Sequence, residues 1–470
     1  MDSRILELKH STRDLPGGGF VLVLNTDAAI TPEAEAMLQA LHSRSHGGIR
    51  KHLKILAEKG FKAFIESFYV GYGHKSIGDC GTGTIFIEGV SMFVAKAIQD
   101  WLLYSGQEES TRYIDFSTQA FIDPIGSSDS ERVLEEWRRF YLAAQQPVRI
   151  HLRECFPRKE GEDEKTYEKA INARSFDVLR GFLPAGASTS LSWHTNLRQA
   201  ADHIALLRHH PLAEVRVVAE AMESALQEAY PSSFGQKRYE ATEEYNRLWM
   251  ETGYYFEGAR FPRCSDTGYG TSFIAKSRGP WVTRDSIDRE LLEDEYQALI
   301  EARPPKTELP KQIAEAGTMQ FEFLLDFGSF RDIQRQRSVI QRMPLVTAKF
   351  GMHPWYLDSL PEEAKMVAQR LVERQLQEVA GFRAPGEILQ YYYPMGMCVP
   401  CRLTGDLSAL VYVVELRAQA VVHPTLHEVA LAIADDLLER FGQLGLKLYV
   451  DREKGRFDIK RGLQDIVRKD

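Results

Sequence analysis

The chain has 470 residues, 44% of them hydrophobic and 26% charged, the balance of an ordinary soluble globular protein with room for several domain-sized units. Its 58 Lys and Arg against 66 Asp and Glu give a net charge of −8, which excludes a surface built for bulk nucleic acid but leaves room for a local basic pocket. The opening MDSRILELKHSTRDLPGGG has no apolar core of a secretory signal, and no apolar run is long enough to span a membrane. A cytoplasmic protein with no membrane and no nucleic-acid partner is expected, its five cysteines reduced.

In chain order, Phe20–Leu24 reads as a strand, and Thr31 as the cap of a helix with Pro32 in its first turn and Glu33 and Glu35 behind it. An apolar amphipathic run, 90–98, precedes SGQEESTRYIDFS (105–117), which holds five hydroxyls, three carboxylates and one arginine. Residues 158–164 read as an exposed loop, and the Gly-, Ser-, Thr- and Pro-rich stretch 260–284 as a connection. Cys398-Val399-Pro400-Cys401 is a single C-x-x-C with no second pair for zinc and no βαβ context. It reads as two buried loop thiols, and no metal site is expected.

The two sides of the connection echo each other. Ile77-Gly78-Asp79-Cys80-Gly81-Thr82 lies 236 positions before Ile313-Ala314-Glu315-Ala316-Gly317-Thr318, each ahead of an apolar segment. Pro184-x-Gly186 precedes Asn196 by 12 residues, and Pro394-x-Gly396 precedes Asp406 by the same 12. Leu207-Arg208 and Leu416-Arg417 follow, then His210-Pro211 and His423-Pro424, then Glu214-Val215 and Glu428-Val429. An internal duplication is expected, with a first copy over 1–259, the connection over 260–284 and a second copy over 285–470.

Read as a pattern, Gly73-His74-x-Ser76, an apolar segment, then Ser105-x-Gln107-Glu108-x-Ser110-x-Arg112-Tyr113 resembles the signature of the flavin-dependent thymidylate synthases. Arg180, Pro184, Asn196, Arg198 and Arg208 resemble that family's later element. Two departures are informative. The slot of the family's Arg-His-Arg triplet holds Asp100-Trp101-Leu102, and Gln107 stands where Asn is usual. The second copy keeps a triplet-like Arg335-Gln336-Arg337 but has Leu345 and Thr347 in its nucleotide element, Gln390 before Pro394, and Asp406-x-Ser408 for Asn-x-Arg.

The resemblance implies an α/β (α+β) fold of two tandem units, each a β-sheet packed with helices. It implies FAD as cofactor, with NADPH and methylenetetrahydrofolate as co-substrates in the C5 methylation of dUMP to dTMP. Arg112, Arg180, Ser110, Tyr113 and Gln107 would hold the nucleotide, Glu108 would orient its neighbours, and Arg208 would polarise the pyrimidine carbonyl. His74, Ser76, Asn196, Arg198, Arg335, Gln336 and Arg337 would face the flavin. A homodimer, four copies in all, would join the nucleotide element of one copy to the triplet of the other. Singly, Arg208 also reads as a surface arginine paired with a carboxylate such as Glu214. A related alkylation of another pyrimidine nucleotide, or a non-catalytic nucleotide-binding homologue, remains open.

Overall fold

In β2 (Phe20–Leu24) every second residue, Val21 and Val23, is fully buried, the period-two burial of a strand with one covered face. A computed structural model describes residues 10–24, 31–44, 48–59, 75–111, 114–234, 237–253, 261–265 and 278–453. The chain divides into two compact units, each drawn from separate stretches: residues 1–110 with 188–254, and residues 111–187 with 255–470. The fold is mixed α/β, with two antiparallel sheets packed with helices. Among the described residues no helix is long and apolar enough to cross a membrane.

The first unit holds β1 (His10–Asp14), β2, β3 (Thr82–Ser91), β4 (Ser105–Glu108) and β5 (Ser188–Asn196), in the order β1-β2-β3-β5-β4. Thr31 caps the helix Pro32–Arg44 as expected, its Oγ1 accepting from Ala34 N at 3.2 Å. A 3-10 turn, Lys75–Cys80, leads into β3, and Ser91 then caps the helix Met92–Gln99. The helix Ala213–Ala229 packs on β1 and β2 through Val215, Val218, Ala219, Met222 and Leu226, the i, i+3, i+4, i+7 face of an amphipathic helix.

The second unit holds β6 (Trp281–Asp285), β7 (Met319–Asp326), β8 (Ile340–Arg342) and β9 (Cys398–Gly405), in the order β6-β7-β9-β8. The stretch read as a connection, 260–284, thus ends inside β6. This unit also takes the helices Ser128–Cys155 and Glu164–Leu179, with the exposed loop 158–163 between them. Its other helices include Phe327–Gln334, Glu362–Gly381, Leu407–Arg417 and Pro424–Phe441.

Element order repeats along the chain. A 3-10 turn, a long strand, a short helix and a short strand run from Lys75 to Glu108 and again from Lys311 to Arg342. A 3-10 turn, a long strand and two helices run from Arg180 to Ala229 and again from Gln390 to Phe441. Caps repeat as well: Asn196 accepts from Gln199 N at 2.8 Å, and Asp406 accepts from Ala409 N at 2.9 Å.

Inside the second unit the two Pro-x-Gly motifs pair with each other. Ala185 N donates to Tyr393 O at 2.8 Å while Met395 N donates to Leu183 O at 2.8 Å. Gly186 N donates to Tyr391 O at 2.9 Å while Gly396 N donates to Gly181 O at 2.8 Å. Each bond has a mate displaced by 210 positions at both ends, the reciprocity of an isologous contact between like parts. The glycines are needed sterically: a Cβ on Gly186 would meet Tyr391 O at 2.8 Å, and one on Gly396 would meet Gly181 O at the same distance. The helices Ser128–Cys155 and Glu362–Gly381 repeat the theme, with Arg132 on Glu378 at 2.7 Å and Arg374 on Glu136 at 2.8 Å. Such exposed pairs add little energy, so their weight is in showing register.

Cys398 and Cys401 form no disulfide and are buried, but they lie on strand β9 and not in a loop. Cys398 packs with Phe261, Cys264, Leu324 and Phe350, and burial pushes its thiol well above the usual range. An apolar sheet face explains both thiols without redox chemistry.

Candidate functional site

In the second unit, β7 ends at Asp326, the cap of the helix Phe327–Gln334, and a buried polar network grows from that cap. Asp326 Oδ1 accepts from Ser329 N at 2.9 Å and from Tyr356 Oη at 2.7 Å, and Oδ2 accepts from Thr425 Oγ1 at 2.6 Å. Burial works to raise the Asp326 carboxyl, but its polar surroundings, the Arg180 charge and the Thr425 hydrogen bond among them, hold it below the ordinary carboxylate range. Burial and the Asp326 charge push Tyr356 well up, so its hydroxyl stays a donor.

His423 is kept neutral, because burial and the Arg180 charge drive its imidazole well below the usual range. Its Nε2 lies 3.2 Å from Asp177 O, which can only accept, so the proton sits there and Nδ1 accepts. Ser329 Oγ, 3.2 Å from Nδ1, takes a hydrogen bond from Arg180 Nη2 at 3.0 Å. Arg180 is therefore structural and charged at once. Burial works against its charge, yet Tyr356, Asp177, Asp332 and Asp326 outweigh it and hold the guanidinium above its ordinary range.

The same helix end gathers more arginines. Asp332 is held below the ordinary carboxylate range, against burial, by Arg180, Arg335, Arg417 and Arg331 together. Arg331 is pushed down to about 10 by burial and by Arg335, and Arg417 is lowered by burial and by Arg335. Four cations thus act on one shared, half-buried carboxylate. Arg335 stands at a helix end, the C-cap of Phe327–Gln334. Arg335 and Arg337 are exposed, whereas Gln336 is buried.

The first unit treats its candidates differently. Arg208 is paired not with Glu214 but with Glu223 and Glu243, its Nη1 at 3.1 Å from Glu223 Oε2 and its Nη2 at 2.8 Å from Glu243 Oε1. Glu214 is engaged elsewhere: its oxygens accept from Ser91 N at 2.9 Å and Ser91 Oγ at 2.6 Å. Asn196 is a helix cap, and Arg198 Nε donates to Asp79 Oδ1 at 2.6 Å. Glu108, half-buried at the end of β4, accepts from Gln99 Nε2 at 2.8 Å, while Gln107 and Ser110 are exposed. In the triplet slot Trp101 is built into the protein, its Nε1 donating to Gln199 Oε1 at 2.8 Å and its ring stacking on His203 at 4.5 Å, while Leu102 is exposed.

His74, Arg112 and Tyr113 lie outside the described residues, and Ser76 is placed only as part of the turn Lys75–Cys80. Sequence reading missed Asp332, Arg331 and Arg417 as site residues. The signals were present in the Arg331–Arg337 run and in the repeated Leu-Arg pair, but neither says which carboxylate a guanidinium will meet.

Residues 27–232 match the family described as thymidylate synthase complementing protein. It is similar to a UPF0159 protein of Chlamydia muridarum, 24% identical over 78% of this chain and 77% of the relative. A UPF0159 protein of Chlamydia pneumoniae is 23% identical over 80% and 78%. One from Thermoplasma acidophilum is 22% identical over 81% and 87%, so the likeness runs well beyond the family match.

Proposed function

We propose that the chain is a tandem-duplicated flavin-dependent thymidylate synthase-like enzyme that methylates C5 of dUMP to give dTMP, using FAD, NADPH and methylenetetrahydrofolate. The observation that carries the reading is the placement of Arg180, from the family-matching region, on the helix that ends in Arg335. The reciprocal Pro-x-Gly pairing supports duplication and fusion of one ancestral unit.

The residues present fit a phosphate-bearing cofactor. The Nε atoms of Arg180 and Arg417 are buried without an acceptor, and a planar guanidinium matches phosphate oxygens two at a time. Arg335 and Arg337 would hold the flavin phosphates, with Gln336 as a neighbouring amide and His74, Ser76, Asn196 and Arg198 toward the flavin. The bound flavin would supply the hydride chemistry, leaving binding, orientation and electrostatics to the protein. Ser110, Arg112, Tyr113, Gln107 and Arg180 would hold the nucleotide, and Glu108 would orient it. Arg208 drops out of this proposal, because both its terminal nitrogens are held by carboxylates. A homodimer would bring the nucleotide element of one chain to the triplet of the other.

A second reading, a nucleotide-binding homologue without catalysis, is favoured by that same clamping of Arg208. One experiment separates them: identify any flavin released from fresh protein, then follow dUMP conversion by chromatography with all three cofactors. FAD in the protein and dTMP formation dependent on each cofactor are expected. A colourless protein that refuses FAD, binds dUMP and makes no dTMP would establish the second reading.

A further inference from the structure

Two helices of the first unit present apolar faces to solvent. The helix Gly48–Lys59 packs on Pro32–Arg44 and turns His52, fully buried, inward. Ile49 and Leu53, one helical turn apart, stay 44% and 43% exposed, with Arg50, Lys51 and Lys54 exposed around them. The helix Glu240–Gly253 packs on Leu197–Leu207 and buries Asn246 and Met250. Its Glu243 is tied to Arg208 at 2.8 Å and to His209 at 2.9 Å. The outer face carries Tyr245, Leu248 and Trp249 at 63%, 53% and 49% exposed, the two aromatic rings edge to face at 6.2 Å. Large apolar side chains grouped in the open mark a contact surface.

The two faces are opposite in charge. Gly48–Lys59 carries four cations and one anion, and Glu240–Gly253 carries four anions and one cation. That one cation, Arg247, is already shared by Glu244 at 2.5 Å and Glu251 at 2.7 Å, so the acidic excess remains. Both helices belong to one compact unit and both faces are exposed there, so the chain leaves this fit unused. A second copy brings both faces at once: its acidic helix can lie on the basic helix of the first chain, and the reverse, which closes a two-fold dimer. The exposed half of a large aromatic side chain is on the order of 100 Å². Ile49, Leu53, Tyr245, Leu248 and Trp249, with their charged rims, thus approach the roughly 800 Å² per partner of a standard interface.

We propose that the helix Gly48–Lys59 of one chain docks on the helix Glu240–Gly253 of a second copy, twice over about a two-fold axis. The inference supplies a surface for the homodimer of the proposed function and rests on that dimer, but not on the flavin chemistry.

The test is light scattering over a dilution series of the full-length chain, with circular dichroism and urea midpoints to check folding. Arg50→Glu/Lys54→Glu and Glu244→Lys/Glu251→Lys each set like charges against one another in a homodimer, and each should weaken it about tenfold or more. Raised salt should weaken the wild-type dimer as well. Mixed in equal amounts, the two variants should regain a dimer, because every reversed helix then meets one of opposite charge. A chain that had only lost structure would gain nothing from mixing. Should either double variant fail to fold, the single variants Lys54→Glu and Glu251→Lys, mixed in the same way, decide. Variants that dimerise as wild type does, or two monomeric variants that stay monomeric on mixing, would overturn the surface and leave the homodimer standing. A wild type that is monomeric throughout would overturn the surface and the homodimer together, while dTMP formation measured alongside reports on the flavin chemistry separately.

Discussion

Arg180 Nη2 donates to Ser329 Oγ at 3.0 Å, fixing a side chain from the first half of the sequence on the helix that ends in Arg335. The bond is buried, and Ser329 is in turn tied to the neutral His423. One arginine therefore ties together the buried polar network of the second unit.

Arg180→Ala should be destabilising before it is anything else. It leaves Asp177, Asp326 and Asp332 without the cation they share, and removing one partner of a buried charge set costs roughly 3–5 kcal/mol. Urea unfolding monitored by circular dichroism should show a clear drop in midpoint. An unmoved midpoint would mean that Arg180 serves a ligand only.

Stability should fall on mild acidification. Burial depresses the imidazoles of His203 (to about 4), His210, His353 and His423 below their ordinary range. The unfolded chain then binds more protons than the folded one below about pH 6.5, so stability is full above that pH and is lost toward the folded values. Each such histidine contributes up to about 1.4 kcal/mol per pH unit in that window. Asp326, also depressed, adds its loss only below the unfolded carboxylate range near pH 4. Urea midpoints at pH 7.5 and 5.5 check the claim, and equal midpoints would contradict it.

Much of the local structure was legible. Phe20–Leu24 is the strand its β-branched and apolar run predicts, Thr31 caps its helix, and the motifs of the repeat recur at matching places in both sheets. What escaped was which helices cover which sheet. The helices Ser128–Cys155 and Glu164–Leu179 belong with the second unit although they lie in the first half of the sequence, because an amphipathic face does not name its partner. The pairing of Arg208 escaped for the same reason: Glu214 is nearer in sequence, but Ser91 holds it.

FAD should bind at one site per chain, since Trp101 fills the first copy's slot by stacking on His203 and bonding Gln199. Titration of apoprotein should saturate near one equivalent, and Asp100→Ala should leave that value nearly unchanged. Saturation at two equal sites would show that both copies hold flavin.

In solution the active species should be a homodimer. Light scattering across a dilution series, read alongside dTMP formation, checks this, and full activity in a monomer would refute it.

The central claim is that the second copy supplies the basic groups for the flavin, and Arg335→Ala/Arg337→Ala tests it most directly. Both side chains are exposed at a helix end, so the double variant should still fold, with circular dichroism and a urea midpoint measured beside its flavin content. Its flavin content after purification should drop to a trace, and FAD should no longer saturate it at concentrations that load wild type. A double variant as yellow as wild type, with the same FAD affinity, would return both arginines to the surface and leave the second copy as scaffold.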